Sequence, residues 1–154
     1  MGFRVVVGSD DAGYQYKQAI ADDLRNDPRV DEVIDLGVHE GALTDRSYPQ
    51  IGLAAGQKVA AGEADRAVLV CGTGIGMAIS ANKVPGIRAT VAHDSFSVER
   101  SILSNDCQVL TLGQRVIGLQ LARRLVKEWL GYTFDPSTPS GAKVAVISDY
   151  EHSC

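Results

Sequence analysis

The chain has 154 residues, 45% hydrophobic and 22% charged, with a formal net charge of −4. That length suits one domain with a proper core, and the acidic balance argues against nucleic acid or an anionic membrane as the main partner while leaving room for a local phosphate site. There is no apolar run of about 18 residues and no basic-then-apolar leader, so neither a membrane span nor a secretory signal is expected.

Phe3–Val7 reads as a buried first strand that runs into the polar turn Gly8–Gly13. Tyr14–Leu24 has helical spacing, with Tyr16, Ala19, Ile20 and Leu24 on one face, and Pro28 ends it. Val30–Leu36 is the second strand. Gly37 to Ser47 is a polar loop holding His39, Asp45 and Arg46, and Tyr48–Ala61 is a helix whose first turn tolerates Pro49. Arg66–Val70 is the third strand, followed by a glycine-rich loop and a short helix from Met77 to about Lys83. Ile87–Ala92 is the fourth strand, and Asp94 is a good N-cap for the helix that ends at Ser104-Asn105-Asp106. Cys107–Leu112 is the fifth strand, and a long amphipathic helix through Trp129 follows Gly113. After Gly131 comes a loop and then a short helix, Ala142–Tyr150. In the favoured reading this tail over 132–154 packs on a neighbouring subunit; the alternative is that it covers its own sheet.

Five strands alternating with helices imply an α/β, three-layer Rossmann-like fold: a five-stranded parallel sheet with helices on both faces and a C-terminal helical tail. Ligands of such open sheets sit beyond the carboxyl ends of the strands. Asp10 and Asp11 after the first strand, Cys71 after the third, His93 after the fourth and Arg115 after the fifth all fall there.

Cys71 stands between a buried strand and the loop Gly72-Thr73-Gly74-Ile75-Gly76, where free amides and a helix N-terminus favour a thiolate. A thiol titrating near ~8.5 needs only a modest shift to act as a base around neutrality. The bland alternative is a packing turn around a small buried hydrophobe. A dinucleotide fingerprint is missing, because its third glycine would fall on Met77 or Ile79. A cysteine phosphatase would need an arginine at the same Met77 position. Three cysteines, Cys71, Cys107 and Cys154, lack metal-site spacing and suit a reducing cytosol.

Taken together, Gly8-Ser9-Asp10-Asp11-Ala12-Gly13, Cys71-Gly-Thr-Gly-Ile-Gly76 with Ser80-Ala81-Asn82-Lys83, Gly86-Ile87-Arg88-Ala89, Ser104-Asn105-Asp106 and Leu112-Gly113-Gln114-Arg115-Val116-Ile117-Gly118 resemble the type B ribose-5-phosphate isomerase and galactose-6-phosphate isomerase family. The resemblance runs through most of the chain. It implies an aldose–ketose isomerase that needs no metal or other cofactor, with Cys71 moving a proton between C1 and C2 of an open-chain sugar phosphate. It also implies that the amides of Gly72–Gly76 hold the enediolate oxygens, that Asp10 binds substrate hydroxyls and that Thr73 orients the reacting end. Asn105 would help hold the enediolate, and Arg115 and Lys143 would take the phosphate, Lys143 from its own subunit or its neighbour. The family is built as homodimers, sometimes paired into tetramers, of cytoplasmic enzymes.

Three departures from the family pattern carry information. Asp10-Asp11 stands where members often have Asp-His, Ser104 stands where they have a histidine thought to open the furanose ring, and the tail arginines reduce to Lys143. A tetrose 4-phosphate carries its phosphate on the oxygen that would close the five-membered ring, so it needs no opener. With the stretch Ala92–Arg100, this makes the chain look more like members acting on D-erythrulose 4-phosphate. The five-carbon alternative stays open, with His93 as a substitute acid, and so does a non-catalytic sugar-phosphate binding module. Among the remaining residues, His39 and His152 are expected to face solvent and Cys107 to be core. Asp11 is expected to face hydroxyls or Lys17, and Arg88 to be a structural ion-pair partner.

Overall fold

The computed structural model describes residues 2–36 and 47–154; His39, Asp45 and Arg46 lie outside the described residues. The elements are β1 (Phe3–Ser9), a single 3-10 turn (Asp11–Gly13), α1 (Tyr14–Arg25), β2 (Val30–Asp35), α2 (Tyr48–Ala60), β3 (Arg66–Cys71), α3 (Ile75–Asn82), β4 (Ala89–Val91), α4 (Ser95–Leu103), β5 (Val109–Gly113), α5 (Leu119–Trp129) and α6 (Pro139–His152). The five strands form one parallel sheet in the order β2-β1-β3-β5-β4. Among the described residues no helix is long and apolar enough to cross a membrane.

Both faces of the sheet are covered, which is why its strands read as continuous apolar runs. Val5, Val7, Val68, Val70, Leu110 and Leu112 pack on Ile20 and Leu24 of α1, Val98 and Ile102 of α4, and Leu125 and Trp129 of α5. On the other face Val6, Ala67, Leu69 and Val109 meet Ile51 and Ala55 of α2 and Met77 and Ala81 of α3. The expected three-layer architecture is therefore present.

Four local expectations are corrected. The buried stripe of α1 is Lys17, Ile20, Ala21 and Leu24. Lys17 can occupy a core position because its Nζ lies 2.9 and 3.1 Å from the Asp35 carboxylate and 5.2 Å from the Tyr14 ring centroid. That pairing also answers where Asp11 does not point. β4 is three residues long rather than six: Ile87 is buried inside a turn and donates its N–H to Val84 O, and the Arg88 N–H goes to the Gln108 side chain. α6 starts at Pro139, a favoured first helical residue, three residues before the expected start. Finally, the long helix expected to follow Gly113 is only Leu119–Trp129, and the apolar Val116 before it and Leu121 on it are exposed.

At the outer edge of the sheet, the Asn82 side chain takes both backbone groups of Ala89. Its Oδ1 accepts from the Ala89 N–H at 2.7 Å and its Nδ2 donates to Ala89 O at 2.8 Å. Arg88 pairs with Asp106 at 3.2 Å, as expected for a structural partner.

Arg66 opens β3 inside the protein. Its guanidinium lies 4.3 Å from the Phe3 ring and 5.1 Å from that of Trp129, and it donates to the carbonyls of Trp129 and Tyr132. Burial pulls its pKa down to about 10, which leaves it a cation at neutral pH. Arg66→Met removes donors from two carbonyls at the end of α5, and the expected cost is about 2–4 kcal/mol. Urea unfolding at fixed protein concentration measures it; a loss below about 0.5 kcal/mol would mean that Arg66 is idle.

Candidate active site

The chain leaves β1 toward β2 on one side of the sheet and returns as β3 on the other, so the sheet reverses direction between β1 and β3. This switch point opens a crevice outside the carboxyl ends of those two strands. Asp10 enters it from β1. Its Oδ1 accepts from the Gly13 N–H at 3.1 Å and caps the 3-10 turn, and burial pushes its carboxyl pKa up. Asp11 is exposed beside it.

Cys71 enters from β3 as the last residue of the strand, opposite Gly113 of β5. It is 5% exposed, and the Gly74 N–H donates to its Sγ at 3.0 Å. Gly74 has φ +81°, a left-handed conformation suited to glycine, and the buried Thr111 hydroxyl donates to its carbonyl at 2.7 Å. Thr73 is exposed, and its Oγ1 accepts from the Ile75 N–H at 3.2 Å. Two of the amides expected to hold an enediolate, those of Gly74 and Ile75, are therefore already spent on the loop's own side chains. Among the described residues the N–H groups of Gly76 and Met77, in the first turn of α3, are not engaged in this way.

Arg115 closes the crevice from β5. Its N–H donates to Gly72 O at 3.0 Å, as Gln114 N–H does to Cys71 O at 2.9 Å. Its side chain lies over Gly72: a Cβ built there would be 3.5 Å from Arg115 Nη1 and 3.7 Å from the Ala12 Cβ. Among the described residues the Arg115 guanidinium makes no ion pair or hydrogen bond, which leaves its fork open to an anion. His93 is at the same end of the sheet, but its Nε2 accepts from the Gly113 N–H at 2.9 Å. Burial holds this imidazole below the ordinary histidine pKa, against a smaller opposite pull from Asp94.

One wall residue was missed in the sequence. Tyr48, the first residue of α2, lays its ring on Gly76, where any Cβ would come within 2.1 Å of the ring. The available signal was an aromatic residue bordering a polar loop, which reads equally well as core.

Two candidates are not brought to this crevice within one chain. Asn105 precedes β5 at the amino end of the sheet, where its carbonyl accepts from Arg88 Nε at 2.9 Å and its Nδ2 donates to Arg100 O at 3.0 Å. A six-residue strand such as β3 separates that end from Cys71 by about 20 Å. The C-terminal end of α6 is tied to the same amino end, since Glu151 Oε1 accepts from the Gly86 N–H at 2.5 Å. Lys143 is exposed on this helix and makes no ion pair among the described residues. Cys107 is buried nearby, its thiol pushed up to about 11 by burial, which fits the core role expected of it.

The chain has known counterparts. A model of the Ribose/Galactose Isomerase family matches residues 5–147. D-erythrulose-4-phosphate isomerase 2 of Mycolicibacterium smegmatis is 58% identical over 152 residues, covering 98% of this chain and 99% of its own. Ribose-5-phosphate isomerase B of Escherichia coli is 40% identical over 132 residues, 86% of each chain. The solved ribose-5-phosphate isomerase B of Clostridium thermocellum superimposes with a TM-score of 0.89 at 41% identity, over 97% of this chain and 98% of that one. Sequence and fold thus agree along nearly the whole length, and the chain belongs to the ribose/galactose isomerase family.

Proposed function

We propose that this chain is an aldose–ketose isomerase of a small phosphorylated sugar, with Cys71 as the base that carries the proton. The observation that carries the reading is the seating of Cys71 at the switch point, with Gly74 N–H on its sulfur and the unpaired Arg115 guanidinium over the adjoining glycine. The Cys71 thiolate takes the proton from the hydroxyl-bearing carbon next to the carbonyl. The released electron pair forms a C=C bond and the carbonyl oxygen becomes an oxyanion. The hydroxyl proton passes to that oxyanion, and the thiol then protonates the other carbon. The Gly76 and Met77 N–H groups suit the negative oxygen, Asp10 and Asp11 suit sugar hydroxyls, Thr73 the reacting end, and Arg115 the phosphate.

The placement of Asn105 and Lys143 supports a homodimer in which each chain completes its partner's crevice. Apolar side chains support the same reading: Ile75 and Ile79 on α3 are 55% and 56% exposed, and Val146 and Tyr150 on α6 are 67% and 74% exposed. Three unpaired cysteines support a cytoplasmic location.

D-erythrulose 4-phosphate is the favoured substrate. Ser104 supplies no imidazole beside Asn105, and the Nε2 of His93 is committed to accepting the Gly113 N–H, which leaves that ring only its Nδ1–H as a donor. The relative that is 58% identical carries the same substrate in its name. The second reading, ribose 5-phosphate, is favoured by the names of the E. coli and C. thermocellum proteins. Kinetics on D-erythrulose 4-phosphate, D-ribulose 5-phosphate and D-ribose 5-phosphate decide between them. The tetrulose phosphate is expected to lead by more than about tenfold in kcat/KM, roughly 1.4 kcal/mol of transition-state binding. Ser104→His is expected to gain activity on ribose 5-phosphate. Efficient turnover of ribose 5-phosphate by the wild type would sink the four-carbon reading, and binding without deuterium exchange at C1 or C2 in heavy water would leave only a sugar-phosphate binding protein.

A further inference from the structure

We propose that His93 is a positioning residue for the Cys71 loop: its Nε2 replaces the strand acceptor that β4 no longer supplies to Gly113, and so holds the end of β5 on which residues 71–74 rest. This inference builds on the isomerase reading of that loop.

The register makes the substitution visible. The last ladder pair between β4 and β5 is Val91 with Thr111. Continued by two residues, the ladder would set residue 93 opposite Gly113, but by then the chain has turned into α4, capped by Asp94. The buried Gly113 N–H would face an empty edge, an unpaired donor away from water, if the His93 side chain did not reach it at 2.9 Å. What that N–H anchors is the reacting loop. Gly113 packs so closely on Thr73 that a Cβ there would lie 2.7 Å from the Thr73 Cα. Its neighbours hold the backbone of Cys71, Gly72 and Gly74 through Gln114 N–H, Arg115 N–H and the Thr111 hydroxyl. Gly113 is thus the middle of a five-residue clamp, and His93 is its outer support.

Such an acceptor works only while Nε2 carries no proton, because a second proton would set N–H against N–H. Burial keeps the ring neutral and Asp94 opposes it. Among the described residues Asp94 is the charged group that acts on the ring; the other ionisable side chains at this end of the sheet are Asp10, Asp11, Cys71 and Arg115, and α3 carries none. With the folded-state pKa depressed, the support is complete above the unfolded value of about 6.5 and is lost only as pH falls through the lower folded-state pKa.

The test uses the full chain. In 15N-labelled wild type, His93 is expected as the Nδ1–H tautomer, and the Gly113 amide shift should follow its titration. An Nε2–H tautomer overturns the proposal. His93→Ala is expected to lose about 10- to 100-fold in kcat with a smaller change in KM. In His93→Gln the amide oxygen can still accept, so most of that loss should be recovered, and the acid limb of the pH profile that His93 causes should vanish. Wild-type kcat in His93→Ala overturns the proposal; so does His93→Gln as inactive as His93→Ala, since a proton donor would then be what is missing. If His93→Ala does not fold, the tautomer and His93→Gln decide. If the wild type isomerises no sugar phosphate, the isomerase reading fails separately. The loop claim then rests on the amide shifts of Gly72, Thr73 and Gly74 in His93→Ala, and unmoved shifts overturn it.

Discussion

Cys71→Ala is expected to lower kcat on the sugar phosphate by about 10²–10⁴, the usual worth of a positioned general base, while KM stays within a few-fold. The sulfur is the only group of this side chain that can take a carbon-bound proton. The binding groups proposed around it sit on other residues: the Asp10 carboxylate, the Arg115 guanidinium and the first-turn amides of α3. The substitution removes one buried atom and the acceptor for the Gly74 N–H, so a modest fall in stability accompanies it. The decisive measurement is exchange of substrate hydrogen with heavy water, followed by NMR. Exchange at the wild-type rate in Cys71→Ala would mean that another group is the base.

Mixing two inactive variants is expected to restore activity. Asn105 is at the amino end of the sheet and Cys71 at the carboxyl end, so in the proposed dimer a complete crevice draws one residue from each chain. In a heterodimer of Cys71→Ala with Asn105→Ala, one crevice holds two alanines and the other holds both native residues. Statistical assortment makes about half of the dimers mixed, so recovery approaches roughly a quarter of wild-type activity. Co-expression with two different affinity tags isolates the heterodimer. If the mixture is no more active than either parent, Asn105 does not serve the partner's crevice.

The sheet was legible because buried parallel strands concentrate β-branched residues between turn signals, and Val5–Val7 and Val68–Val70 are unmistakable. The crevice was legible for a related reason: topology alone sends Asp10, Cys71, His93 and Arg115 to one edge. Four features were hidden. Lys17 reads as a surface residue until Asp35, eighteen positions away, is known to meet it. Ile87 is as buried as a strand residue, so apolar character could not separate a turn from β4. For Asn105 the motif suggested a role while the order of elements put it at the other end of the sheet; one chain cannot satisfy both, and only the folded register makes the conflict plain. Tyr48 was invisible because its partner, Gly76, offers no side chain to pair with.

The borders of the sheet decide how copies of this protein can meet. At one border the Asn82 amide occupies the hydrogen-bonding groups of Ala89, and at the other the carboxylates Asp31 and Glu32 of β2 are exposed, one on either face of the strand. A strand from another molecule finds no open template at the first and charge at the second. Among the described residues, that leaves the helical faces rather than the sheet borders as the surfaces on which another copy would seat, and it works against edge-to-edge growth of the sheet.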